Sequence, residues 1–252
     1  MHGMDAEDFN PGASVRRDWG KAFAAIGRLL ADGDDTMQVF RIMRALNGDV
    51  AMRNYRKLLS TAQGGVQAYR RVELAELFSD RAWLDTLPEG TVGATYRAFL
   101  DRTGYSAGGL AEVSYEAHDF MRAVEHPYAW MGRRERDIHD IWHVLTGYAA
   151  DEHLGELCLS GFSFGQTDGW GWGAIAWAGG LKTVATLRTL SVLRAIAEGR
   201  RLGRRAAWLH AEEYRALLTE PLDHARRRLR IGEPRLYRAA QAELAARGVT
   251  RL

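Results

Sequence analysis

Residues 134–156 read RERDIHDIWHVLTGYAADEHLGE and bring His139, Asp140, His143 and Glu156 into one short window. Placed on a helix at about 100° per residue, Asp140 lies about 100° and His143 about 40° from His139, so all three project from one face. Two imidazoles one turn apart are how a single helix offers two nitrogens to one divalent ion, as in HExxH zinc sites. Glu156 stands about 220° round from His143 on an unbroken helix, so it joins them only if the chain turns. Thr146-Gly147 reads as that break, after which a second helix returns Glu156 as an oxygen ligand. Two imidazoles with carboxylates suit Zn²⁺, the default, and equally Fe²⁺, Mn²⁺ or Co²⁺. Asp140 fits either a ligand or a general base. The plainer alternative stays open on spacing alone: a hydrogen-bonded core histidine, a cap partner and a surface glutamate.

Two familiar sites share parts of this pattern. A His-Asp phosphohydrolase needs an upstream histidine, which His118 or His126 supplies, and a distant aspartate, which Asp168 supplies; His143 then has no task. A zinc protease needs glutamate directly after the first histidine, where this chain has Asp140. Around the motif, Arg133, Arg134 and Arg136 suit a carboxylate or diphosphate, or else a solvated helical turn. Met121, Trp130, Trp142, Leu145 and Tyr148 supply apolar flanks, and GWGWGAIAWAGG (169–180) sets three tryptophans among five glycines. That stretch reads as a lipid groove or membrane contact, or as helix packing through small residues.

The elements that would hold these side chains are helical. TMQVFRIMRAL (36–46) places Val39, Ile42, Met43 and Leu46 at helical spacing before an Asn-Gly stop. The pattern continues over 50–61, 66–78, 92–102, 112–125, 134–146, 171–198, 204–218 and 219–230, and the alternating β-branched strand signal is missing. A chain of 252 residues, 46% hydrophobic, can bury a proper core. Residues 1–14 are expected to be loosely ordered and 15–252 to form a single all-α, bundle-like domain. The lone Cys158 excludes an intramolecular disulfide, and the acidic start MHGMDAEDFNPGAS lacks the apolar core of a targeting peptide. Those two features point to a bacterial cytoplasm, with peripheral contact at the inner membrane as an option. Ten arginines against five acidic residues between Arg194 and Arg230 suit an anionic partner or solvated faces, without any nucleic-acid signature.

HDIWHVLTGYAADEHLGE resembles the His-Asp-x-x-His…Glu signature of the fourth Coq protein family of ubiquinone (coenzyme Q) biosynthesis. LPEGTVGATYRAFLDRTGYS (87–106) is similar to that family's Leu-Pro-x-Gly block, and HAEEYRALLTEPLDHARRRLRIGEP (210–234) to its closing segment. One departure stands out: twelve residues separate His143 from Glu156, where the family usually has eleven. A turn within TGYAADEHLG absorbs the extra one, and Glu152 or Asp151 are the substitutes. The resemblance implies an all-α fold and a metal held by His139, Asp140, His143 and Glu156, with Asp140 and His143 catalytic. It implies a polyprenylated hydroxybenzoate substrate losing its C1 carboxylate oxidatively, contacted by Arg133, Arg136, Trp142 and Tyr148. It also implies other ubiquinone-biosynthesis proteins as partners and a homodimer. The alternative is a lipid-binding scaffold whose ion is structural.

Overall fold

The computed structural model describes residues 16–33, 35–106 and 126–249. The expected loose start at 1–14, the helix at 112–125, His118 and Met121 lie outside them. Along the chain run α1 Trp19–Ala31, α2 Thr36–Leu46, α3 Val50–Leu59, α4 Ala62–Arg70, α5 Leu74–Ser79, α6 Arg81–Leu84 and α7 Val92–Thr103. After the undescribed segment come α8 Pro127–Asp137, α9 His139–Thr146, α10 His153–Thr167, α11 Trp170–Leu187 and α12 Ser191–Arg205. A 3₁₀ turn, Leu209–Ala211, then leads to α13 Tyr214–Thr219, α14 Leu222–Arg228 and α15 Arg235–Ala246. The protein is all-α: among the described residues the β structure is one isolated bridge, Thr91 to Pro221. No described helix is long and apolar enough to cross a membrane.

Several helices read as continuous from periodicity are divided. The 66–78 stretch breaks where Arg71 turns left-handed at φ 46°, and 171–198 breaks at Arg188, φ 53°. The 134–146 stretch is interrupted at Ile138. Apolar periodicity persists across such junctions because the helices on both sides bury similar faces.

The chain forms two compact units. Among the described residues, one comprises 48–106, 126–141 and 208–225. Here Thr91 caps α7 by accepting from the Ala94 amide at 3.2 Å, and Gly104 ends it in a left-handed turn, φ 71°. A Cβ at Gly93 would sit 2.9 Å from the Leu218 carbonyl, so glycine lets these segments close. Val92 N donates to Glu220 O and Leu222 N to Gly90 O, each at 2.9 Å, which ties 87–106 to 210–234. Phe78 then meets Tyr96 and Tyr214 edge-on, both at 5.7 Å.

The other unit comprises described residues 17–33, 35–47, 142–207 and 226–249. Its centre is the crossing of α10 and α12. Cβ atoms at Gly161 and Gly203 would lie 2.6 and 2.2 Å from the facing carbonyls of Ile196 and Phe162, so only glycine permits this approach. The glycine-tryptophan stretch forms α11, where Gly173 seats Phe164 and Gly171 lies against Met43 and Asn47. Those glycines serve helix packing, while Trp170 stays exposed beside Trp19.

Candidate metal centre

Helix α8 leads to the site. His126 caps it, its Nδ1 accepting from the Tyr128 amide at 3.2 Å, and Pro127 occupies the first turn, where no amide hydrogen is needed. After Ile138, α9 carries His139 and His143 one turn apart. Thr146-Gly147 is the expected break: Gly147 takes φ 77° and its amide closes on the His143 carbonyl at 2.8 Å. The chain then folds back into α10. A Cβ at Gly155 would come 1.9 Å from the Ala149 carbonyl oxygen, so the turn closes only over glycine.

The return brings Glu156 to the histidines. His143 Nε2 lies 3.1 Å from Glu156 Oε1, and one ligand atom each from His139, His143 and Glu156 all fall within 4.8 Å of one another. Ligand atoms of a tetrahedral zinc site, at bonds of about 2.0–2.1 Å, stand roughly 3.3 Å apart, so modest closure suffices. The tautomer agrees. His143 Nδ1 is 2.9 Å from the Tyr148 carbonyl oxygen, which can only accept, so Nδ1 carries the proton. With Nδ1 turned to that carbonyl, Nε2 is the nitrogen that faces the Glu156 carboxylate, and either a proton or a divalent ion between them satisfies the pair. A ligating histidine whose other nitrogen is tied to a carbonyl is also the usual arrangement around zinc. His143 is buried, whereas the Glu156 side chain is 39% exposed, so the cluster reaches solvent.

The other expected residues go elsewhere. Asp140 is buried, but its carboxylate is not among the three gathered atoms. Burial raises the Tyr96 phenol, and the charges of Asp140 and Asp137 raise it further. Arg133 pairs with Glu73 through two contacts, 3.1 and 2.7 Å. Arg136 is buried against Asp137 at 2.7 Å, and Arg134 is buried with its guanidinium on the carbonyls of His210 and Glu212 at 3.0 and 2.6 Å. Neither is a solvated turn. Burial pushes the Asp137 carboxyl up to about 6 and lowers Arg134. Trp142 packs edge-on to Phe162 at 5.8 Å and Tyr148 edge-on to Tyr237 at 5.0 Å. Asp168 ends α10 in a left-handed turn, and Glu152, the substitute ligand, stands just before α10 with its side chain bonded to Tyr237 and Gln241. A cavity of about 430 Å³ is lined by Trp177, Ala197, Arg200, Arg201, Arg204 and Arg205, and by none of the clustered ligands. Sequence reasoning missed the Tyr148 carbonyl, because a backbone acceptor leaves no trace in residue type.

With this geometry in view, a family profile described as coenzyme Q (ubiquinone) biosynthesis protein Coq4 matches residues 25–235. A mitochondrial ubiquinone biosynthesis protein COQ4 of Pyricularia oryzae is 38% identical over 84 residues, 33% of this chain and 25% of the relative. Its namesake in Aspergillus terreus is 38% identical over 85 residues, 34% of this chain and 27% of the relative. The matched segment thus spans about a quarter of either relative. The crystal structure of a Nostoc punctiforme PCC 73102 protein, provisionally designated for ubiquinone biosynthesis, has the same fold. Its TM-score is 0.60 at 21% identity, covering 86% of this chain and 100% of that one. The mitochondrial naming of the fungal relatives overturns the expectation of a bacterial cytoplasm. A lone cysteine reports only that no internal disulfide forms, which does not separate one compartment from another.

Proposed function

Because the chain belongs to the Coq4 family of coenzyme Q (ubiquinone) biosynthesis proteins, we propose that it removes the C1 carboxylate of a polyprenylated hydroxybenzoate, using a divalent ion held by His139, His143 and Glu156. The observation carrying this reading is the His143 ring, with Nδ1 bound to the Tyr148 carbonyl and Nε2 facing Glu156. When bound, the ion supplies a Lewis acid that stabilises negative charge on the phenol and ring. The chain's own residues hold and orient it: Tyr148 sets the His143 tautomer, and the α9–α10 turn delivers Glu156. Asp140, buried on the same helix, is the acid left for proton transfer. Arg133, Arg136, Trp142 and Tyr148 take structural roles, since their side chains are in ion pairs or packed against neighbours.

In the net reaction the C1–carboxylate bond breaks and carbon dioxide leaves. Dioxygen is the oxidant, giving one atom to the new ring hydroxyl and the other to water; two electrons come from an external donor, and three protons are taken up, one for the hydroxyl and two for the water. Ubiquinone and its C1-carboxylated precursor are to be measured in a strain lacking its own family member. The wild-type chain restores ubiquinone, whereas His143→Ala leaves the precursor to accumulate; full restoration by His143→Ala would remove the site from the function. A second reading, a polyprenyl-lipid-binding scaffold with a structural ion, is favoured by the cavity that lacks the site residues. Turnover of the carboxylated precursor by purified protein excludes it.

A further inference from the structure

His143 Nδ1 donates to the carbonyl oxygen of Tyr148 at 2.9 Å. The amide on the other edge of that same peptide group, Ala149 N–H, donates to the hydroxyl of Tyr237 at 3.0 Å. The Tyr237 hydroxyl in turn donates to Glu152 Oε1. Gln241, one turn further along α15, donates from Nε2 to Glu152 Oε1 at 2.7 Å and to the Tyr237 oxygen at 2.9 Å. Each hydrogen has a donor and each acceptor has lone pairs to spare. The polarity runs one way, from a carboxylate through a phenol and a peptide group to an imidazole.

A peptide group is planar, so the bond that fixes the direction of its N–H fixes the direction of its C=O as well. Hydrogen bonds in such a chain polarise one another, so the Glu152 charge makes the Tyr148 carbonyl a better acceptor for the His143 Nδ1 hydrogen. Glu152 also begins the helix carrying Glu156: the Glu156 amide closes on the Glu152 carbonyl at 3.2 Å. One carboxylate therefore steadies both partners of the His143–Glu156 pair. Edge-on packing of the Tyr148 and Tyr237 rings, at 5.0 Å, holds the two segments together. Tyr237 and Gln241 both lie beyond residue 235, where the family match ends.

We propose that Tyr237, supported by Gln241, is a positioning residue that sets the tautomer of His143 and the approach of Glu156 through Glu152 and the Tyr148–Ala149 peptide. Its value for ion binding rests on the metal reading above, but its effect on the His143 tautomer does not.

The test uses the full chain labelled with ¹⁵N-histidine at about pH 8, above the unperturbed histidine pKa of about 6.5. Proton–nitrogen correlation spectra give the His143 tautomer, assigned by the signal missing from His143→Ala. Wild type holds the proton on Nδ1. Tyr237→Phe, which keeps the ring and removes the hydroxyl, populates both tautomers and lowers Zn²⁺ affinity about tenfold, the lower end for a lost outer partner. Glu152→Gln keeps the shape, removes the charge and has a smaller effect in the same direction. An unchanged tautomer in Tyr237→Phe overturns the proposal, whatever the Zn²⁺ affinity. A shifted tautomer in a protein that binds no Zn²⁺ upholds the positioning role and defeats the metal reading instead.

Discussion

Helices α8 and α9 follow each other almost without a break, and both are rich in groups that could bind something. On α8 the protein itself engages those groups, although Arg134 Nη1 stays buried without a hydrogen bond. Arg134 is spread over two carbonyls with its charge near the rings of Trp130 and Tyr214, 5.7 and 5.3 Å from their centres. Arg136 is spent on Asp137, and Arg133 on Glu73. On α9 the protein satisfies one end of the His143 ring and leaves the other aimed at a carboxylate, with His139 alongside. Residue type does not separate a structural polar group from a functional one; what the second ring nitrogen of His143 faces does.

The contrast is open to test by substitution. Arg134→Ala should have the largest effect, about 3 kcal/mol or more of stability, because it opens a void between two rings and takes a donor from the buried His210 carbonyl and the part-buried Glu212 carbonyl. Denaturant unfolding measures it, and an unchanged midpoint would mean that α8 is not closed in this way. His143→Ala should do the reverse, removing divalent-ion binding in calorimetry while the circular dichroism stays helical. Loss of the fold in that variant would make α9 as structural as α8.

Smaller effects probe the same boundary. His210, whose carbonyl receives Arg134, is fully buried, and desolvation depresses its pKa below the usual histidine value. The unfolded chain therefore binds more protons below about pH 6.5, and stability is lost as pH falls through that range. The stability gap between wild type and His210→Gln should narrow from pH 8 towards pH 5.5 in thermal melts; a constant gap would show that His210 does not titrate on unfolding. Arg133→Ala, breaking a partly exposed pair, should cost about 1 kcal/mol or less and leave ion affinity untouched.

Much of the site was legible in the sequence because it depends on one helical period and one glycine. His139 and His143 share a face through spacing alone, and Thr146-Gly147 announced the turn that returns Glu156. The twelve intervening residues proved compatible with that return, since Gly155 lets the turn fold against the start of α10. The fold class was legible for the same reason. Helix junctions at Arg71 and Arg188 were not, because an arginine in a left-handed conformation carries no local signal of the kind glycine gives. Helix α15 went unread as well, and with it Tyr237 and Gln241, which act on the site through a peptide group more than eighty residues away in sequence. Arg133 and Arg134 looked available because their partners, Glu73 and the carbonyls of 210 and 212, lie about sixty to eighty positions away.

X-ray absorption at the metal edge of Zn²⁺-loaded full-length protein, set beside a His143→Ala Glu156→Ala double variant, tests the metal centre most directly. One ion per chain is expected, bonded to two imidazole nitrogens and oxygen at about 2.0–2.1 Å and absent from the double variant. An ion that the double variant keeps with the same spectrum, or a wild-type chain that retains none, would contradict it.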